Sequence, residues 1–290
     1  MTRLLCLATA LVMLAMPAAA APLEVVASFS VLGDLVRQVG GDHVRVTTLV
    51  GPDGDAHVFE PTPTDARAIQ AAQLVVINGL GLEGWMTRLL QSTGYRGAVL
   101  VAAAGVTPHS GSGGIDPHAW QDVANVGIYV KAIVEGLAQA DPGHAADYRE
   151  AGAVYGRALE DLDREVRAAF ARIPPGERKI ITSHDAFGYY GAAYGLTLLA
   201  PAGVSTEAEP SAKAVGALIT QIRKEHIKAV FIENMSDPRL IQRIARESGA
   251  TIGGRLFSDA LSPADGPAAT YVAMIRHNTG LITRALAGEP

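Results

Sequence analysis

Short runs of β-branched and other apolar residues alternate along this chain with stretches whose apolar positions recur every three or four residues. The runs at 23–27, 45–49, 74–78 and 98–102 predict strands, and the stretches between them predict helices, which together argue for βα units and a mostly parallel sheet. Residues 28–40 are the clearest helix, with Val31, Leu32, Leu35, Val36 and Val39 on one face. After Pro174 and Pro175 the alternation begins again, with strands expected at 179–182, 196–199, 229–233 and 251–256 and helices near 211–226, 238–248 and 267–286. Pro238 and Pro267 suit the first turn of a helix, where a missing N–H costs nothing.

One long helical segment separates the two halves. Asp141 would cap it and Pro142 would lie in its first turn, and Tyr148, Ala151, Tyr155, Leu159, Leu162, Val166 and Phe170 follow at helical steps. The expected organisation is an α/β fold of two similar lobes, 22–140 and 174–290, joined by a rigid helix at 141–173. Such a strut predicts small movements of two independently packed lobes.

Residues 1–21 stand apart. A single cation, Arg3, precedes an apolar run ending at Met16, followed by Pro17 and a string of alanines, the pattern of a secretory signal cleaved near Ala21. The apolar run is shorter than the ~20 residues a spanning helix needs. The only cysteine, Cys6, lies inside this leader, well before the small-residue run. The expectation is therefore a free periplasmic protein, not a lipoprotein, whose mature part has no thiol for a disulfide or a metal. Acids and bases are mixed along the chain, the net charge is −5, and no basic stripe points to nucleic acid.

His57, His118, His184 and Asp259 each occupy a polar, turn-rich break after a predicted strand, two in each lobe. Open parallel sheets gather ligands beyond the carboxyl ends of their strands, so these four are candidate metal ligands in a cleft between the lobes. Spacings of 61, 66 and 75 residues exclude a local metal loop. His43, His144, His226 and His277 lack motif context, and His109 reads as a loop residue.

The sequences around these positions carry a resemblance. Asp55-Ala-His57-Val-Phe-Glu-Pro, Asp116-Pro-His118-Ala-Trp-Gln-Asp122, Ser183-His184-Asp-Ala-Phe-Gly, Glu207-Ala-Glu-Pro210 and Phe257-Ser-Asp259-Ala-Leu look like the zinc and manganese solute-binding proteins (cluster A-I) of ATP-binding-cassette importers. The resemblance covers the chain beyond the leader, including Phe231-Ile-Glu-Asn234. It implies a mononuclear metal between the lobes held by His57, His118, His184 and Asp259, with a permease and its ATPase as partners. A periplasmic metallochaperone is a further partner the resemblance allows, and the protein is expected to be a monomer. Two departures stand out: Ala56 occupies a position where proline is common, and the loop before His118, residues 109–115, holds one histidine in place of a long histidine-rich insertion.

Three imidazoles and one carboxylate suit tetrahedral zinc, whereas manganese binds more weakly and prefers more oxygen donors. In the resembling family a histidine at the third position is more often zinc-type, so His184 favours Zn2+ as the transported ion over Mn2+. Glu60, Asp122, Asp185 and Glu207 are candidates for carboxylates behind the histidines. Release is expected to begin at the segment around Asp259.

Other readings are a zinc hydrolase with an open three-histidine site, and an extracellular adhesion or zinc-buffering protein. The hydrolase needs a free coordination position for water, which a fourth ligand at Asp259 would close. Gly79-Leu-Gly81-Leu-Glu-Gly84 spells a dinucleotide fingerprint but lacks the acid some 20 residues on, and its glycines read as a turn into a helix. Ser183-His184-Asp185 spells a hydrolase triad in adjacent residues, an accident because triads assemble from separated segments.

Overall fold

The computed structural model describes residues 21–111 and 114–288. The expected leader lies outside these described residues apart from Ala21. The first half runs β1 (Leu23–Phe29), α1 (Ser30–Gly40), β2 (Val44–Val50), α2 (Pro63–Ala71), β3 (Leu74–Ile77), α3 (Met86–Thr93), β4 (Ala98–Val101), the short pair β5 (Ser110–Gly111) and β6 (Gly114–Ile115), and α4 (Val123–Ala140). Then α5 (Ala145–Ala171) leads into β7 (Lys179–Ile181), α6 (Gly188–Tyr194), β8 (Thr197–Leu199), α7 (Ala212–Glu225), β9 (Ala229–Glu233), α8 (Arg239–Ser248), β10 (Thr251–Leu256) and α9 (Tyr271–Ala287).

Two four-stranded parallel sheets, ordered β2-β1-β3-β4 and β10-β9-β7-β8, form the centres of two α/β lobes. Each sheet winds the same way. Its second strand lies on one side of the first, and its third and fourth lie on the other. The winding therefore reverses beside β1 in one lobe and beside β7 in the other, and ligands of open α/β sheets gather at the carboxyl ends of such strands. In β1, Val25, Val26, Ala27 and Phe29 are all buried, the near-continuous apolar run of a strand covered on both faces.

The linking helix differs from expectation at its start. Residues Pro142–His144 form a 3-10 turn, and α5 begins at Ala145. Asp141 takes His144 Nδ1 and the Tyr148 hydroxyl on its carboxylate, both at 2.7 Å, instead of capping the long helix. The 27 residues of α5 span ~40 Å. Their buried face carries Tyr148, Tyr155, Leu159, Leu162, Val166 and Phe170 as expected, with Gly152 taking the place of Ala151. A β-carbon at Gly152 would stand 2.4 Å from Val134 Cγ2, so the glycine sets how closely α4 and α5 approach. Pro238 precedes α8, and α9 begins at Tyr271, four residues beyond Pro267, which is therefore outside its first turn; Thr270, whose hydroxyl accepts from Ala273 N, caps it.

The main apolar core is not divided between the lobes. One continuous cluster runs from β1 and α1 through α4 and α5 to Leu256, Tyr271, Met274 and Ile282 of the second lobe. A smaller cluster, including Ile181, Ile219, Ile222, Val230 and Ile244, lies on the other face of the second sheet. Independently packed lobes are therefore not what the chain forms. Helix α9 belongs to the second lobe yet packs against α5 and α1.

Candidate metal centre

Four loops at the carboxyl ends of strands converge between the lobes. His57 lies in the loop after β2, His118 in the segment after β4, His184 three residues beyond β7 and Asp259 three beyond β10. All four are buried, and one ligand atom from each lies within 4.8 Å of all the others. His118 Nε2 is 3.2 Å from His57 Nε2 and 3.4 Å from His184 Nε2. Asp259 Oδ2 lies 3.1 Å from His184 Nε2 and 3.4 Å from His57 Nε2, and its Oδ1 lies 3.4 Å from His118 Nε2. Donors ~2.0–2.1 Å from a tetrahedral zinc stand about 3.3 Å apart, so this set fits a single cation at its centre.

The carboxylate makes the same point. Asp259 is fully buried, and neither oxygen has a well-aligned hydrogen bond. A buried charge without a partner is costly, and either protonated His118 and His184 or a cation among these donors offsets that cost. Burial works against charge on His118, but the Asp259 charge and the Asp116 and Asp259 contacts outweigh it and push the imidazole up to about 9. His184 likewise loses to burial but is raised well above its ordinary value by Glu233 and Asp259. Burial would lift Asp259, yet His118 and His184 hold it well below the usual carboxylate range. Protons and a metal therefore compete for the same nitrogens.

The histidines are held from behind. Asp116 Oδ1 accepts from His118 N at 2.9 Å and lies 2.7 Å from His118 Nδ1. Glu233, at the end of β9, accepts from the Ser183 and His184 backbone through Oε1 and sets Oε2 2.8 Å from His184 Nδ1. His57 N donates to Asp55 Oδ1, Trp85 Nε1 donates to the Ala56 carbonyl at 2.8 Å, and the Thr206 hydroxyl donates to Asp55 Oδ2 across the lobes. A carboxylate behind an imidazole fixes its tautomer and orientation.

Three of the four carboxylates expected in that role, Glu60, Asp122 and Glu207, do not fill it. Glu60 and Glu207 are exposed, Asp122 accepts from Ala124 N as the cap of α4, and Asp185 N donates to Gly203 O. Asp116, inside the Asp116-Pro-His118 motif, takes that role instead. Its signal was the repeated Asp-x-His of residues 55–57 and 116–118, in which the Asp oxygen accepts the histidine N–H two residues on. Glu233 stands in the Phe231–Asn234 segment that the resemblance includes, but nothing in the sequence pairs it with His184, 49 residues away. His109 is exposed and stacks on Tyr189 at 4.1 Å, apart from the four. Gly79 and Gly81 adopt positive φ in the turn before α3. Glu83 faces inward there, accepting from the Ser28 hydroxyl and from Asn78 and Gly79 N–H groups, so the fingerprint is a turn.

A family model described as zinc-uptake complex component A, periplasmic (ZnuA), matches residues 25–285. The chain belongs to this family. The zinc-binding protein TroA of Treponema pallidum (strain Nichols) is 34% identical over 274 residues, 91% of this chain and 88% of that protein. A solved structure of the periplasmic zinc binding protein TroA from Treponema pallidum superposes with a TM-score of 0.87 at 31% identity, covering 91% of this chain and 99% of that one. The manganese-binding lipoprotein MntA of Bacillus subtilis (strain 168) is 34% identical over 274 residues, 91% of this chain and 90% of that protein. The manganese ABC transporter substrate-binding lipoprotein PsaA of Streptococcus pneumoniae is 28% identical over 275 residues, 91% of this chain and 89% of that protein.

Members of the ZnuA family are metal-binding substrate-binding proteins that work with the permease and ATPase of ABC importers, and they are not enzymes. The hydrolase reading is set aside with them. The expectation of a free periplasmic protein that is not a lipoprotein is corrected: MntA and PsaA are both named lipoproteins. That expectation rested on the position of Cys6 in a leader outside the described residues, and a position relative to an alanine run does not decide anchoring.

Proposed function

We propose that this chain captures Zn2+ between its lobes through His57, His118, His184 and Asp259 and presents it to an ABC importer. The observation that carries the reading is the convergence of three buried imidazoles and one buried carboxylate whose ligand atoms all lie within 4.8 Å of one another, five of their contacts falling at 3.1–3.4 Å. Nitrogen donors with a single carboxylate favour zinc over harder, more oxygen-seeking ions. The acting unit is read as a monomer of two lobes, 22–140 and 174–290, joined at 141–173, with residues 1–21 as an export leader. A metallochaperone that loads the site is a further partner in this reading.

One observation favours manganese as a second reading. Both oxygens of Asp259 face the imidazoles, so the carboxylate has the geometry to bind through both and provide the fifth donor that manganese prefers. Tighter binding of zinc in a titration does not separate the two, because zinc exceeds manganese in most nitrogen and oxygen sites. The deciding experiment is metal content of protein purified without chelator, with X-ray absorption of the bound ion. One equivalent of four-coordinate zinc supports the proposal. Five or six donors around bound manganese overturns it in favour of the second reading.

A further inference from the structure

The turn Ala119–Gln121 directly follows His118, and its two larger side chains reach a backbone carbonyl of the second lobe. Trp120 Nε1 donates to the Ser258 carbonyl at 2.9 Å and Gln121 Nε2 donates to the same oxygen at 2.8 Å. Ser258 immediately precedes Asp259. All four residues are fully buried, so no solvent competes for the bonds.

We propose that Trp120 and Gln121 are positioning residues that clamp the Ser258–Asp259 peptide and thereby fix the Asp259 carboxylate at the metal, an inference that rests on the site proposed above. A carbonyl oxygen has two lone pairs, and here both are taken by side chains of the other lobe. The donors are themselves locked. The Trp120 ring packs at 4.9 Å against Phe29 and at 5.3 Å against His118, and its carbonyl accepts the Tyr271 hydroxyl at 2.8 Å.

Gln121 shows that the arrangement does not serve stability alone. Its Oε1 is buried with no partner among the described residues, a loss that a side chain selected only for packing would avoid. Turning the amide over would set Oε1 against the Ser258 oxygen, so the cost is accepted to keep Nε2 on that carbonyl. Two further bonds hold the same segment: Leu261 N donates to Ser30 Oγ at 2.9 Å, and Asp53 N donates to Leu261 O at 3.0 Å. Asp259 is thus carried by the second lobe and held by the first. This runs against release that begins with free movement of the Asp259 segment, because that movement breaks the clamp first.

The test is the dissociation rate of Zn2+ into excess chelator for the full protein, Trp120→Phe, Gln121→Met and the double variant, each with Asp259 and with Asp259→Ala. Each single change is expected to speed release roughly five-fold, the loss of one buried hydrogen bond. The double variant should exceed the product of the singles, because either donor alone still holds the carbonyl. With Asp259→Ala, the clamp substitutions should no longer alter the rate. Equal effects in both backgrounds, or no effect of the double variant, would overturn the clamp. Failure of the unsubstituted protein to bind zinc, or an unchanged rate in Asp259→Ala alone, would instead overturn the metal site. If Trp120→Phe does not fold, Gln121→Met in the two backgrounds carries the test. Its melting temperature should hold or rise as the orphaned oxygen is removed.

Discussion

Asp116 holds His118 twice, accepting its backbone N–H and lying 2.7 Å from its ring Nδ1 with the same oxygen, Oδ1. The ring is thereby turned so that Nε2 faces the other donors. Asp116→Ala should leave His118 present but free to rotate, with zinc affinity lowered roughly 10–100-fold. Competitive titration checks this, and an affinity within two-fold of the parent would mean that packing alone orients the ring.

Protons occupy the donor set when no metal does. His118 is pushed up to about 9 because Asp259 and Asp116 outweigh its burial, so at neutral pH a cation must displace a proton to bind. Apparent zinc affinity should therefore keep rising from pH 7 to about 9, by up to about ten-fold per pH unit for one displaced proton. Calorimetry in buffers of different ionisation enthalpy would count the protons. Flat affinity between pH 7 and 8.5 would contradict the assignment.

The same shift predicts the stability of chelator-treated protein. A histidine raised from 6.5 to about 9 on folding contributes stability that is full below about 6.5 and is lost as pH rises through about 9. The melting temperature of metal-free protein should fall across that window. His118→Gln should flatten the profile, whereas an unchanged slope would place the titrating group elsewhere.

The alternation of strand and helix patterns was enough to locate the four main strands of each lobe, and the mostly buried central strands β1, β3 and β9 read as near-continuous apolar runs. Strand β9 at Ala229–Glu233 and β10 at Thr251–Leu256 fall where expected. The four residues of the candidate site were legible because each follows a strand within a recognisable motif. What was not legible came from distant chain. Glu233 reaches His184 only because β9 pairs with β7, and Trp120 and Gln121 meet Ser258 across 138 and 137 residues. The continuous core was equally hidden, since periodicity marks which face of α9 is apolar but not that it covers α5.

At the crossing of α4 and α5, Gly152 is required by space. A methyl there meets Val134 Cγ2 at 2.4 Å, and a β-branched side chain in a packed helix has no easy rotamer to retreat to. Gly152→Ala should destabilise the fold by about 1–2 kcal/mol despite the better helix propensity of alanine. Zinc stoichiometry should stay at one. A denaturation midpoint at or above the parent's would show that the helices yield.

His184 tests metal choice because of what stands behind it. Glu233 Oε2 lies 2.8 Å from its Nδ1, with both groups buried. His184→Glu adds an oxygen donor but sets one buried carboxylate against another, and two such groups resist ionising together. The single variant should lose zinc binding by roughly a hundred-fold or more, as expected when a buried charge pair is replaced by like charges. His184→Glu with Glu233→Gln keeps an acceptor for the Ser183 and residue 184 N–H groups while removing the repulsion. That double variant should regain binding, with its preference for zinc over manganese reduced roughly ten-fold by the exchange of nitrogen for oxygen. Paired titrations with both ions decide the matter. Equal loss in single and double variants would mean that Glu233 does not govern the site through charge.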